Sequence, residues 1–188
     1  YKLIYASTKY SFYLIWIISL PIILRSGDIL QFWLVEVPNY TESFVQWIAI
    51  FYCINVLTNP LWSAVQAIGN LQRYVIIGSL VFLSAFPISF FFLKYGAAPV
   101  CVFQILTFAR IAYLLVSLRL VKSLLDFSIT EYIRNAIWPI IQVAILSGIL
   151  VLALNTIIDH DIIGLISITV ISVLIIAIVV YFVGINNN

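Results

Sequence analysis

Arg110 is a charged residue inside an otherwise apolar run that extends from Pro99 to Leu118. It precedes Arg119 by nine positions, which at about 1.5 Å per residue places its backbone well below a membrane surface. A charge at that depth costs on the order of 2.5 to 3.5 kcal/mol and usually faces a cavity or a protein partner. The alternative is that Arg110 snorkels, which means that its long side chain extends to the membrane interface and keeps the charge in water. The residues on the same side of a helix are Thr107, Tyr113 and Ser117.

Amide side chains form a second group of candidates, in residues 43–70. At about 3.6 residues per turn, one stripe carries Tyr52, Asn55, Asn59, Trp62, Gln66 and Asn70. Such a stripe can line a cavity and hydrogen-bond water or sugar hydroxyls. It can equally join helices through contacts worth about 0.6 kcal/mol each. We predict Asn55, Asn59 and Gln66 as cavity-lining residues together with Arg110, with helix joining as the competing interpretation.

Two prolines lie inside runs that should be helical. Pro60 directly follows Asn59, and Pro87 lies in the next apolar run. An internal proline removes a backbone hydrogen bond and disfavours a helical conformation at the preceding residue. Interrupted helices are typical of transporters. Pro60 and Pro87 are therefore hinge candidates, and static kinks explain both prolines equally well.

No pattern in the sequence predicts catalysis or a metal centre. The single histidine belongs to Asp159-His160-Asp161, and we favour a solvated turn there because three consecutive side chains rarely converge on one ion. GxSxG, P-loop and HExxH patterns are absent. Cys53 and Cys101 have no metal-like spacing. We predict a protein that is not an enzyme and needs no metal or cofactor, in which three acids are plain surface charge: Asp28, Glu36 and Glu42.

Composition indicates the class of protein. Of 188 residues, 64% are hydrophobic and 9% are charged, whereas soluble domains average about 25% charged residues. Several apolar runs reach the roughly 20 residues that a helix needs to cross a bilayer, and they lack the alternation of barrel strands. We predict an all-α polytopic membrane protein in contact with the lipid bilayer. The net charge of +2 is too small to indicate a nucleic-acid partner.

The apolar runs predict a single transmembrane domain over residues 1–188. Its six spans are about 10–24, 43–68, 74–93, 99–118, 129–155 and 162–184. The first span should end near Pro21 and Arg25, before a long connection over residues 26–42. Ser128 and Glu131 have capping-box spacing and predict a helix start. Both ends of the chain look cut, so we expect a piece of a longer protein.

The basic residues predict the orientation of the spans. One side of the predicted topology holds six of them, Lys2, Lys9, Arg73, Arg119, Lys122 and Arg134, and the other holds only Arg25 and Lys94. Because cytoplasmic loops carry an excess of Lys and Arg, the bias places both ends of this chain in the cytoplasm.

Three runs of the sequence resemble a known family. They are YKLIYASTKYSFYLIWIISLPIIL, ILQFWLVEVPNYTESFVQWIAI and LTNPLWSAVQAIGNLQRYVIIGSLVFLSAFPISFFFLKYGAAP. Their most specific patterns are W-L-x-x-V-P-x-Y-T at Trp33 to Thr41, N-P-L-W-x-x-x-Q-A-x-G at Asn59 to Gly69 and P-I-S at Pro87 to Ser89. Up to about Leu146, the chain resembles the later part of bacterial lipopolysaccharide, O-antigen and capsular polysaccharide flippases. These belong to the multidrug, oligosaccharidyl-lipid and polysaccharide exporter superfamily.

The resemblance implies a fold and a function. It implies that the six spans are the C-terminal part of a two-lobed transporter of about 12 to 14 helices, whose N-terminal lobe lies outside this sequence. The expected activity is the flipping of an undecaprenyl-diphosphate-linked oligosaccharide across the bacterial inner membrane by alternating access. Arg110 is then a candidate for binding the diphosphate or sugar acids, since a guanidinium matches phosphate oxygens bidentately.

Three other functions remain open at this point. A multidrug or toxic-compound exporter of the same superfamily would carry an acidic residue inside a helix for ion coupling. A membrane-embedded sugar polymerase or glycosyltransferase would carry a large outward loop with catalytic residues. A passive membrane subunit would use Arg110 and the asparagine stripe only to join helices.

Overall fold

The fold is a bundle of helices in a computed structural model that describes residues 1–69, 71–125, 127–159 and 161–185. The helices are α1 (Lys2–Trp33), α2 (Thr41–Ile68), α3 (Gln72–Lys94), α4 (Cys101–Leu124), α5 (Ile129–Tyr132), α6 (Trp138–Asn155) and α7 (Ile162–Val179). Within these residues there is no strand. Six helical stretches are long and apolar enough to cross a membrane, with α5 and α6 counted as one stretch. The prediction of an all-α polytopic membrane protein is confirmed.

Helix α1 is longer than the span expected from sequence. The sequence predicts a first span that ends near Pro21 and Arg25. Two helical segments meet there at a kink, where Arg25 has φ −121° and ψ 26°, and the second segment continues to Trp33. The helix can continue because Arg25 is buried with its charge satisfied by hydrogen bonds. The connection between the first two spans is accordingly shorter than residues 26–42.

Both internal prolines lie inside continuous helices. Helix α2 extends from Thr41 to Ile68 through Pro60, and α3 extends from Gln72 to Lys94 through Pro87. The break suggested by Asn59-Pro60 is therefore not seen in this conformation, and a hinge at either proline stays a prediction. Helix α2 ends at Gly69, whose φ of 79° is left-handed and favours glycine. Asn70, the last residue of the predicted stripe, lies outside the described residues.

Capping residues define the starts of the last two spans. The Ser128 hydroxyl accepts a hydrogen bond from the Glu131 backbone N–H at 3.3 Å, as expected from their spacing. A π-helical turn, Ile133–Ile137, joins α5 to α6; it ends just before Pro139, which has no N–H to donate. The Asp161 carboxylate caps α7 by accepting from the Gly164 N–H at 2.6 Å. His160 lies outside the described residues, so the expected Asp159-His160-Asp161 turn is described only at its two carboxylates.

Helices α1 and α2 pack closely on each other and organise the bundle. Helices α6 and α7 pack on α1, while α3 packs mainly on α4, and α4 packs on α2. The α3–α4 hairpin, defined as Gln72 to Leu124, therefore meets the rest of the bundle chiefly through α2. Its two helices are the least buried of the six spans. This arrangement makes the α2–α4 contact the main attachment of the hairpin.

Candidate functional site

Arg110 lies near the middle of α4 and binds α2. Its Nη2 donates to the hydroxyl of Thr58 at 2.7 Å, to the backbone carbonyl of Asn55 at 3.4 Å and to the Asn55 side-chain oxygen. The guanidinium thus does not extend to an interface, which excludes the snorkelling interpretation for this conformation. Arg110 and Asn55, two of the predicted site residues, are in direct contact.

Aromatic rings surround the same guanidinium. Its central carbon lies 6.0 Å from the ring centre of Phe51, 5.4 Å from that of Phe82 and 5.2 Å from that of Tyr113. A cation near ring faces within about 6 Å is attracted by their quadrupoles, and more strongly when it is desolvated. The rings come from α2, α3 and α4, so Arg110 is held where three helices meet.

The positive charge of Arg110 has only neutral partners. Within the described residues, its acceptors are an amide, a hydroxyl and a backbone carbonyl, and no carboxylate lies within ion-pair distance. Its Nε is buried without a hydrogen-bond partner among those residues. A buried N–H left unpaired costs about 1 to 3 kcal/mol. The guanidinium therefore keeps both an uncompensated charge and an unused donor, which is the chemistry needed to bind an anion.

The aromatic side of the site depends on a glycine. Gly78 of α3 lies against Tyr113 of α4, so that a Cβ built on Gly78 would be 2.7 Å from Tyr113 Cε2. Real Cβ atoms essentially never come that close. The close approach lets the ring of Tyr113 sit between α3 and the guanidinium of Arg110.

Asn59 and Gln66 occupy the exposed face of α2. Tyr52, Asn59, Ser63 and Gln66 are all exposed; we call these four residues the polar α2 stripe. Between its charged ends, the exposed positions of α3 are mostly apolar instead, with Ser79 and Ser84 as exceptions; Leu80, Leu83, Phe86, Phe90 and Phe92 are among the apolar ones. The apolar surface of α3 can contact lipid acyl chains. Amide side chains in hydrocarbon would lack hydrogen-bond partners, which costs free energy. The polar α2 stripe therefore faces water or another polypeptide segment rather than acyl chains.

A groove of about 550 Å³ runs between α1 and the polar α2 stripe. Its polar lining comes from Ser7 and Ser11 of α1 and from Asn59 and Ser63 of α2, and Pro60 lies in its wall. Ser11 and Asn59 each lie nine residues from the helix end on the same side of the bundle, or about 13 Å along the helix axis. The groove therefore extends about 13 Å along the two helices from that end.

The structure brings together only part of the predicted set. Asn55 joins Arg110, Asn59 and Pro60 line the groove, and Gln66 is exposed beside it. Pro87 is exposed on α3 and is not among the residues that line the groove. The bond between Asn55 and Arg110 joins two helices, as the competing interpretation of the stripe expected. Asn59 and Gln66 are exposed instead, as residues of a cavity wall must be.

Arg25 forms a second buried polar site that sequence reasoning missed. Its guanidinium donates to Asn155 at 2.5 Å, to Asp28 at 2.7 Å and to the Ile158 carbonyl at 2.8 Å. The side chain is fully buried. It ties the kink of α1 to the C-terminal end of α6, whose carbonyls attract a cation. The signal in the sequence was Asp28, three residues after Arg25 and at ion-pair spacing on a helix. The ion pair corrects the interpretation of Asp28 as plain surface charge.

Of the two other acids predicted as surface charge, Glu36 is exposed, whereas Glu42 has structural contacts. The Glu42 carboxylate accepts from the Ser26 hydroxyl at 3.2 Å, and Gln46 donates to Ser26 at 3.0 Å. These bonds join α1 to α2 at the start of α2. Within the described residues, no group of three or more His, Cys, Asp and Glu side chains could hold a metal ion.

No protein-family model, curated protein or solved structure matches the chain.

Proposed function

We propose that this chain is the C-terminal part of a two-lobed transporter that flips a lipid-linked oligosaccharide across the bacterial inner membrane by alternating access. Arg110 is the group that attracts the diphosphate of the undecaprenyl-linked substrate. The N-terminal lobe, which precedes this sequence in the full protein, supplies the facing wall of the cavity. The product of the step is a repeat unit presented for surface polysaccharide synthesis, including lipopolysaccharide, O-antigen or capsule.

One observation carries the proposal: a guanidinium at the middle of a spanning helix has only neutral oxygen partners among the described residues. A buried charge without a charged partner is unfavourable, and among the described residues no carboxylate cancels the charge of Arg110. Phosphate oxygens form stronger, charge-assisted bonds with a guanidinium than amides do. An anionic group therefore fits this site, and in the proposed substrate that group is the diphosphate.

The polar α2 stripe supports the same function. A transported glycan presents hydroxyl groups, which amides and hydroxyls of the wall can hydrogen-bond. Asn59 and Ser63 offer such groups in the groove, and Gln66 continues the stripe toward the end of α2. The resemblance to polysaccharide flippases supports the same function. The excess of basic residues on one side of the predicted topology supports the orientation of the spans. That bias places both ends of this chain in the cytoplasm.

The exporter alternative has less support from the contacts. It needs an acidic side chain inside a helix that is free to bind and release an ion. Helix α1 carries one acid, Asp28, and its carboxylate is engaged by Arg25 at 2.7 Å. The Arg110 site would repel a cationic drug rather than attract it.

The test uses the full-length gene in a strain that lacks its flippase. We expect Arg110→Ala to reduce surface polysaccharide about tenfold or more, because one charge-assisted contact is worth at least 1.4 kcal/mol. Arg119→Ala is the matched control, since Arg119 is on the same helix but exposed, and it should retain activity. Protein abundance is measured by immunoblot in both strains. Normal polysaccharide from Arg110→Ala at normal abundance would favour a passive membrane subunit and contradict the proposal.

A further inference from the structure

The contact between α2 and α4 has three levels along the helices. At one end, Phe44 of α2 packs on Phe103 of α4, with ring centres 5.2 Å apart. At the middle, Arg110 binds Asn55 and Thr58. At the other end, Leu61 and Val65 of α2 and Leu118 and Val121 of α4 belong to a buried cluster, which also includes Tyr5 of α1 and Tyr132 of α5. The three levels differ in how easily they can separate.

The apolar end is the firmest of the three. Leu61, Val65 and Val121 are each 0% exposed, and Tyr74 of α3 packs in the same cluster. Separating these side chains would return most of their buried area to a less favourable environment and leave voids. By contrast, Phe44 and Phe103 are only half-buried. The α3–α4 hairpin can therefore tilt about its apolar end if the middle contact is released.

The middle contact is polar and can be exchanged. Arg110 uses a single nitrogen, Nη2, for its three bonds to α2, while the neighbouring Nε has no partner in the described part of the chain. Bidentate binding of a phosphate group uses two guanidinium N–H groups that point the same way, such as Nε and Nη2. An anion bound to Nε and Nη2 would replace Asn55 and Thr58 as the acceptors of the Nη2 hydrogen bonds. It would also need access to a buried Nε, which requires the two helices to move apart.

We propose that Arg110 is a latch that holds the α3–α4 hairpin on α2, and that an anion which takes its guanidinium releases the hairpin at the Phe44–Phe103 end. The inference rests on the proposed function for the nature of the anion. It adds the coupling step, because binding at Arg110 and movement of the hairpin become one event. The buried cluster around Val65 and Val121 is the pivot.

The test measures distances between spin labels in the full-length protein reconstituted in lipid nanodiscs. Cys53→Ala, Cys101→Ser and replacement of any other cysteine remove the native thiols. One pair of labels, at Ile48→Cys and Lys94→Cys, reports the end that should open; both positions are exposed. A control pair, at Ile68→Cys on α2 and Lys122→Cys on α4, reports the pivot end, and its positions are exposed too.

Two perturbations release the latch in different ways. Inorganic pyrophosphate competes for the guanidinium, and the double variant Asn55→Leu/Thr58→Val removes its acceptors while Arg110 is kept. We expect each to lengthen the Ile48–Lys94 distance and to leave the Ile68–Lys122 distance unchanged. In Arg110→Met, pyrophosphate should have no effect. The double variant must elute as a monodisperse helical protein in detergent; if it does not, Asn55→Ala is used in the same assay.

The outcomes separate the latch from the proposed function. An Ile48–Lys94 distance that the acceptor variant leaves unchanged overturns the latch, whatever polysaccharide assays show. If the Ile48–Lys94 distance lengthens in the acceptor variant but not with pyrophosphate, the latch is supported. The proposal that a diphosphate group releases it is then overturned. Equal lengthening at both label pairs overturns the pivot, because the whole hairpin would then have separated.

Discussion

Gly78 of α3 and Tyr113 of α4 are in such close contact that no side chain fits between them. A Cβ on Gly78 would lie 2.7 Å from Tyr113 Cε2 and 3.2 Å from Cζ. Tyr113 in turn lies 5.2 Å from the guanidinium carbon of Arg110. The spacing of α3 and α4 at this glycine therefore determines where one wall of the arginine site stands.

Gly78→Ala should destabilise the protein although alanine favours a helix. Alanine gains up to about 1 kcal/mol over glycine in a helix interior, but here Tyr113 must shift, and overpacking costs about 1 to 3 kcal/mol. Gly148→Ala is the matched control, since a Cβ on Gly148 of α6 meets nothing within 4 Å. Thermal unfolding followed by size-exclusion chromatography should show a lower midpoint for Gly78→Ala only. An equal or higher midpoint for both variants would contradict the close contact.

Arg25→Met should destabilise the bundle strongly. The change leaves Asp28 and Asn155 without the cation that they bind, and removing one partner of a buried charge pair costs about 3 to 5 kcal/mol. Because Asp28 is partly exposed, we expect a value near the lower limit. The control is Arg119→Met at an exposed position, where surface substitutions stay within about 0.5 kcal/mol. Unfolding of each variant in mixed micelles measures the difference, and a loss no larger than that of the control would refute the structural role of Arg25.

Tyr132→Phe should cost about 1 kcal/mol, the usual value of one net hydrogen bond. The Tyr132 hydroxyl is buried and donates to the Leu57 carbonyl of α2 at 3.3 Å. It thereby joins α5 to α2 near Pro60. Tyr181→Phe, at a ring that is 67% exposed, should change nothing under the same unfolding conditions. Indistinguishable losses in the two variants would show that the buried hydroxyl contributes no stability.

Asn59→Cys should react with a membrane-impermeant thiol reagent, because the polar α2 stripe faces water or a polar partner. The matched position is Leu83→Cys on the apolar face of α3, which is 68% exposed but should lie in hydrocarbon, where a thiol stays protonated and unreactive. Both variants carry Cys53→Ala and Cys101→Ser, and labelling is measured in sealed vesicles of each orientation. Reaction at Leu83→Cys but not at Asn59→Cys would reverse the assignment of the two faces.

The fold class was predictable because it depends on local and additive properties. Apolar runs of sufficient length predict spanning helices wherever the rest of the chain lies, and the spacing of Ser128 and Glu131 predicted a helix start that the capping bond confirms. The depth of Arg110 followed in the same way from its distance to the end of its run. Such inferences need only the rise of a helix and the cost of burying a charge.

The partners of the charged side chains were decided by the tertiary structure alone. Asn55 and Arg110 are 55 residues apart, and Arg25 and Asn155 are 130 apart, so their contacts depend on how helices pack and rotate about their axes. Hydropathy reports how much apolar surface a helix has but not which helix covers it. For that reason the burial of Arg25 at the kink of α1 was not predicted, and a stripe expected on one wall divides between a helix contact at Asn55 and an exposed face at Asn59.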